Sequence, residues 1–157
     1  MIKLKYTQLE IIKPLLHQRL VESKLDERCP VDYIFPIISL NMMGGVAWVF
    51  VDKEVDPSAI LVLSFVQASV CNETAVIINL IYIDSNVRRE NPRLAITLKD
   101  EMFETAEAFA ASKGADVLQA ASWVYRGCED ISPILKQKGF EPQTKEFVKI
   151  LKPKPSP

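Results

Sequence analysis

The chain has 157 residues, 48% of them hydrophobic and 25% charged, with a formal net charge of −1 and a pI near 5.9. A single domain of that length buries a real core without staples, and this composition excludes disordered, collagen-like and low-complexity classes. No basic excess is available to neutralise phosphates, so direct nucleic-acid binding is not expected.

Ile2, Leu4 and Tyr6 alternate with Lys3 and Lys5, the pattern of a short strand with one wet face. Leu9, Ile12, Leu15, Leu16, Leu20 and Leu25 recur at helical spacing, and Pro14 lies close enough to the start to be accommodated or to delay the first turn. After a polar break over 26–30, residues 31–43 read as a second short helix with Pro36 inside it. Gly44-Gly45 is a turn signal. Residues 46–51 form an aromatic-rich strand, Asp56-Pro57 turns the chain within 52–58, and 59–70 is a long β-branched strand. Cys71-Asn72-Glu73 is a tight reversal into another long strand over 74–83, so the three runs read as an antiparallel meander. The last of them is nearly all apolar, which places it centrally with both faces covered.

Asn91 is a good N-cap and Pro92 suits the first position of the helix that follows. Ala95, Leu98, Met102, Ala106 and Phe109 make its apolar stripe, and Gly114 closes it. A strand over 117–124, a short helix over 130–138 stopped by Gly139, and a last strand over 147–151 complete the domain. Residues 152–157, with alternating prolines, read as an extended tail outside the core.

Residues 1–6 lack the apolar core of a signal peptide and no apolar run approaches membrane-spanning length, so a cytoplasmic location without membrane contact is expected. Cys29, Cys71 and Cys128 sit far apart with no metal or redox spacing and read as reduced thiols. The single histidine, His17, cannot build a multi-histidine metal site and reads as a surface or boundary residue. Met42-Met43 read as gap fillers of the core, and Trp48 and Phe50 as core-facing or interface aromatics. Arg88-Arg89 with Arg93 is the dense basic patch of the chain: a phosphate or carboxylate clamp, or a solvated turn.

The order β-α-α-β-β-β-α-β-α-β resembles that of the GNAT superfamily of acyl-CoA N-acyltransferases. Leu80-Ile81-Tyr82-Ile83-Asp84 resembles the end of the family's central strand, the helix from Pro92 to Lys113 its long cofactor helix, and Ile134 through Gly139-Phe140 its late helix with a Gly-Phe ending. The fold this implies is α/β (α+β), a GNAT-like mixed, mostly antiparallel central sheet with helices on both faces. It would form one domain over 1–151 with the tail over 152–157. The resemblance also implies that backbone groups of Ile81 and Ile83 hold the acyl and pantetheine arm of acetyl-CoA. It places the pyrophosphate at the turn where Arg88, Arg89, Asn91 and Arg93 stand.

That turn departs from the family's Arg/Gln-x-x-Gly-x-Gly/Ala form. It reads Arg88-Arg89-Glu90-Asn91-Pro92-Arg93, without glycine and with a proline where an amide donor is wanted. If Asn91 caps the helix, its side chain takes the N–H of Arg93 or Leu94 for itself. A plainer account of the same residues is that Asn-Pro simply starts a helix well. The family's general-acid tyrosine, four residues before the late glycine, is matched by Leu135, which has no proton to donate. Tyr125 and Glu73 are the remaining candidates for acid and base, each with an ordinary structural alternative as a half-buried aromatic and a solvated turn residue.

Two functions follow from the resemblance. One is an acetyl-CoA-dependent N-acetyltransferase in which a small amine attacks the thioester directly. The other is an acetyltransferase-like protein with a degraded site, acting as a binding or structural module with a protein partner or as a homo-oligomer. The stretch from Trp123-Val124 through Gly139-Phe140 loosely resembles small GNAT-like proteins of tailed bacteriophages, which would place such a module within a virion.

Overall fold

Long β-branched runs occupy the middle of the chain, and the computed structural model folds them into one sheet; it describes residues 1–25, 27, 29–67, 73–120 and 131–142. The strands are β1 (Ile2–Lys3), β2 (Ala47–Val51), β3 (Ala59–Gln67), β4 (Thr74–Ile83) and β5 (Val117–Ala120), in spatial order β1-β2-β3-β4-β5. Neighbours are antiparallel except β4 and β5, which are parallel. A parallel pair needs a long crossover, and two helices supply it: α3 (Ser85–Glu90) and α4 (Pro92–Lys113). Ahead of β2 lie a 3₁₀ helix (Tyr6–Ile12), α1 (Lys13–Glu22) and α2 (Val31–Met43), and after β5 comes α5 (Ser132–Gln137).

The sheet separates two cores. On one face Phe50, Leu61, Leu63, Val76 and Ile78 meet Leu98, Met102, Phe103 and Ala106 of α4 and Leu135 of α5. On the other Val49, Val51, Ile60, Val62 and Tyr82 meet Leu9, Ile12, Leu15 and Leu16. This is why β4 reads as a continuous apolar run: each face is covered by a different set of helices.

β4 carries a bulge. Ile78 pairs with Leu63 and Leu80 with Val62, leaving Asn79 as the extra residue. Its side-chain amide donates to Ser64 Oγ at 2.8 Å. The insertion inverts which residues face which core. Before it Val76 and Ile78 face α4, and after it Ile81 and Ile83 do, while Leu80 and Tyr82 face α1.

Several expectations are corrected. The strand at the start ends at Lys3, and Tyr6 opens the 3₁₀ helix. The α-helical geometry begins only at Lys13, because Pro14 at its second position lacks the amide an earlier start would need. Met43 is exposed and fills no core gap, because the face of α2 that carries it points to solvent. The stretch over 88–90 is the last turn of α3 and not an open loop. Trp48 and Phe50 do face the core, packing against Phe109 tilted and edge-on, at 4.9 and 5.8 Å between centroids. Gly139 stops α5 in a left-handed conformation, φ 82°. The final strand over 147–151, the tail over 152–157, Cys71 and Cys128 lie outside the described residues.

Candidate active site

The C-terminal end of β4 is where chain reversal, helix starts and charge converge. Asp84 leaves the strand and caps α3, its Oδ1 accepting from the amides of Asn86 at 2.7 Å and Val87 at 3.4 Å. Asn91 closes α3, its N–H donating to Val87 O at 2.9 Å, and starts α4. Its backbone (φ −137°, ψ 71°) is outside the helical region, which proline disfavours for the residue before it. Its Oδ1 accepts from Leu94 N at 3.1 Å. A helix start offers four amides to an anion. Here the Asn91 amide donates to Val87 O at 2.9 Å, Pro92 has none, and Leu94 is taken by Asn91 Oδ1. The Arg93 amide is the one left.

The ladder fixes where the strand's backbone groups point. Asp84 N donates to Ser58 O at 2.8 Å, so by antiparallel alternation Tyr82 also bonds toward β3. Ile81 and Ile83 therefore direct their N–H and C=O groups to the opposite edge. Among the described residues the pairing of β5 with β4 ends at Ile78 and Ala120, so no described strand meets them there. One of those groups is already engaged: Ile83 O accepts from Arg88 Nε at 3.0 Å.

Arg88 is held by a network that reaches across to α1. Its Nη2 lies 2.5 Å from Glu22 Oε2, and its guanidinium sits 5.5 Å from the centre of the Tyr82 ring. The Tyr82 hydroxyl lies 2.9 Å from both Gln18 Oε1 and Glu22 Oε1, its proton shared between two acceptors. Gln18 Nε2 donates in turn to Ser85 Oγ at 2.8 Å. Burial, and then the hydrogen bond and charge of Glu22, hold the Tyr82 hydroxyl well above its ordinary pKa of 10.0. Burial opposes the charge on Arg88, but the hydrogen bond and attraction of Glu22 outweigh it and raise its pKa. Neither group is poised to exchange a proton near neutrality.

The other sequence candidates scatter. Arg89 is exposed and bonds locally, to Asn86 Oδ1 at 2.8 Å and Glu90 Oε1 at 3.3 Å. Arg93 is exposed on the first turn of α4 and makes no ion pair with any described residue. Glu73 precedes β4 at its far end; at about 3.3 Å per strand residue it stands roughly 26 Å or more from Ile81 and Ile83, too far to act with them. Tyr125 lies outside the described residues. Leu135 is buried against the α4 core. Gln18 and Glu22 are the residues sequence reasoning missed. Their four-residue spacing places them on one side of α1, a signal that says only that they are neighbours.

No protein-family model matches the chain, and no curated protein matches it. Solved structures do. A probable acetyltransferase aligns with a TM-score of 0.70 at 14% identity over 98% of both chains. A predicted acetyltransferase of Clostridium acetobutylicum with acetyl-CoA aligns with a TM-score of 0.67 at 11% identity, over 94% of this chain and 92% of that one. A GCN5-related N-acetyltransferase of Ralstonia eutropha JMP134 aligns with a TM-score of 0.66 at 16% identity, over 94% and 95%. The five-stranded, mostly antiparallel sheet with its helices is the GNAT acetyltransferase fold.

Proposed function

We propose that this is an acetyltransferase-fold protein whose diphosphate turn is filled by its own side chains, so that it binds acetyl-CoA weakly or not at all and acts chiefly as a binding or structural module. The carrying observation is the start of α4. Of the amides there, Pro92 lacks one and Asn91 Oδ1 occupies another. An anion arriving at this helix would have to displace a cap that stabilises it by about 1 kcal/mol and would still find a donor missing. The fold retains the outward-facing backbone of Ile81 and Ile83, so acetyl-CoA remains the cofactor to which any residual activity would belong, with an amine as acceptor.

A module needs a contact surface, and α2 offers one. Its 13 residues carry one charged side chain, Asp32, and none of them is buried. Tyr33, Ile37, Leu40 and Met43 recur at helical spacing and are 45–66% exposed. Such a stripe on a surface helix is the mark of a docking face, and it supports a protein partner or self-association, whether in a cytoplasm or within a virion.

Calorimetric titration with acetyl-CoA decides the main reading. The wild type is expected to give little or no heat, and the Asn91→Gly, Pro92→Lys, Arg93→Gly triple variant to bind. Micromolar binding by the wild type with turnover of the thioester would establish the active N-acetyltransferase instead.

A further inference from the structure

We infer that Glu22 is an internal stand-in for the cofactor's diphosphate: its carboxylate holds Arg88 against α1 and Ile83, and releasing it frees Arg88 to serve as an anion ligand at the start of α4. The inference rests on the reading of this turn as a diphosphate site. It concerns a residue of α1 that lies 66 positions away from Arg88 in the chain.

The geometry carries it. Arg88 makes two contacts that a ligand at this place would itself use. Its Nη2 meets a carboxylate oxygen of Glu22 at 2.5 Å, as it would meet a phosphate oxygen. Its Nε occupies the carbonyl of Ile83 at 3.0 Å, one of the groups directed at the edge of β4 that no strand meets among the described residues. The anchor at the other end is rigid. Glu22 Oε1 is 2.9 Å from the hydroxyl of Tyr82, whose ring is buried in the α1 core, and Gln18 braces the same hydroxyl at 2.9 Å. Glu22 is thereby aimed at Arg88 before any ligand arrives.

Release would bring Arg88 close to the start of α4. α3 ends at Glu90 and Asn91, whose N–H bonds Val87 O, follows directly, so position 91 lies about one helical turn beyond position 88. A guanidinium swung from Glu22 spans that distance. Arg93 already stands on the first turn of the same helix, so a freed Arg88 would make a second cation there. The pair with Glu22 is partly exposed, with the two side chains 41% and 32% accessible, so it is open to competition by a doubly charged ligand.

The test is coenzyme A binding by calorimetry, with inorganic pyrophosphate as a second ligand, to the full-length wild type, Glu22→Gln, Arg88→Gln and the Glu22→Gln/Arg88→Gln double variant. Circular dichroism and thermal melting confirm folding. Glu22→Gln should tighten both ligands at least tenfold, or make binding measurable where the wild type's is not, and the double variant should lose that gain. If Glu22→Gln melts out, Glu22→Asp, which keeps the charge but shortens its reach, takes its place with the same expectation. A smaller change in the folded variant, or a gain that survives loss of Arg88, overturns the inference. The triple variant at 91–93 separates this failure from that of the proposed function: binding by the triple but not by Glu22→Gln leaves the closed helix start standing and removes Glu22 from the account. Tight binding by the wild type removes the closed helix start while leaving the tenfold gain to be read.

Discussion

Asp116 shows what one well-placed carboxylate does in this molecule. Its Oδ2 accepts from both Thr74 N and Thr74 Oγ1 at 2.8 Å, and its own N–H donates to Thr74 O at 2.9 Å. The Thr74 hydrogen bonds, backbone first and side chain second, hold its pKa below the ordinary aspartate value of 3.8. A depressed folded pKa contributes stability that is fully present above 3.8 and is lost as pH falls through the folded value. The wild type is therefore expected to lose stability more steeply below pH 3.8 than Asp116→Asn, which has no proton to gain; urea titrations at stepped pH read the difference. Equal slopes would show that the contact contributes nothing. Residues of this kind divide sharply in how far sequence reveals them. Asn91 capping its own helix is legible, because cap and amide are three positions apart and Pro92 marks the start. Glu22 meeting Arg88 is not, because only the packing of α1 beside the end of β4 brings them together, and neither sequence neighbourhood hints at the other.

Local grammar writes some elements of this chain and tertiary packing writes the others. α2 is bounded by Pro30 and Gly44, and the helix fills the interval over Val31–Met43 with Pro36 inside it. Its periodicity was ambiguous because nearly every side is apolar, so which face would be left in water could not be read. The answer gives the stripe of Tyr33, Ile37, Leu40 and Met43. If α2 is the contact face of a module, sedimentation should show concentration-dependent association or partner binding that Leu40→Glu abolishes while leaving the monomer's melting temperature unchanged, since Leu40 is 66% exposed and contributes little to the core. A monomeric wild type that binds no partner would remove the contact from α2. The bulge at Asn79 was equally hidden. An asparagine in an apolar strand announces a polar position, but not that an extra residue there exchanges the faces of Leu80–Ile83. α3 was missed for a different reason: six residues with no apolar period carry no helical signature beyond Asp84, and that residue also suits a turn.

At the scale of the molecule, the meander of three strands and the long helix after it were legible because each is signalled by local pattern and punctuated by Gly44-Gly45, Asp56-Pro57 and Asn91-Pro92. The two-sided core follows from the continuous apolar run of β4. The chemistry was less legible, because the glycine turn and the tyrosine that a resemblance to acetyltransferases would call for are both absent, and what stands in their place depends on contacts between distant segments. Among the described residues no helix is long and apolar enough to cross a membrane, and no cluster of three metal-ligating side chains is present.

The mixed direction of the sheet has a consequence for the order in which it assembles. β2, β3 and β4 close through short connections, whereas β5 reaches β4 only after the whole crossover over 84–116 has been drawn in, and the entropic toll of that closure falls on the docking of β5. Among the described residues, four pairs and the Thr74–Asp116 clasp secure it along the strand direction. Amide hydrogens of Val117–Ala120 should then exchange with deuterium faster than those of β3, through partial openings that leave the hairpins intact. Exchange of both at one common rate would mean the sheet opens only as a whole. If β5 does lift separately, the parallel seam between β4 and β5 opens while the antiparallel strands stay joined.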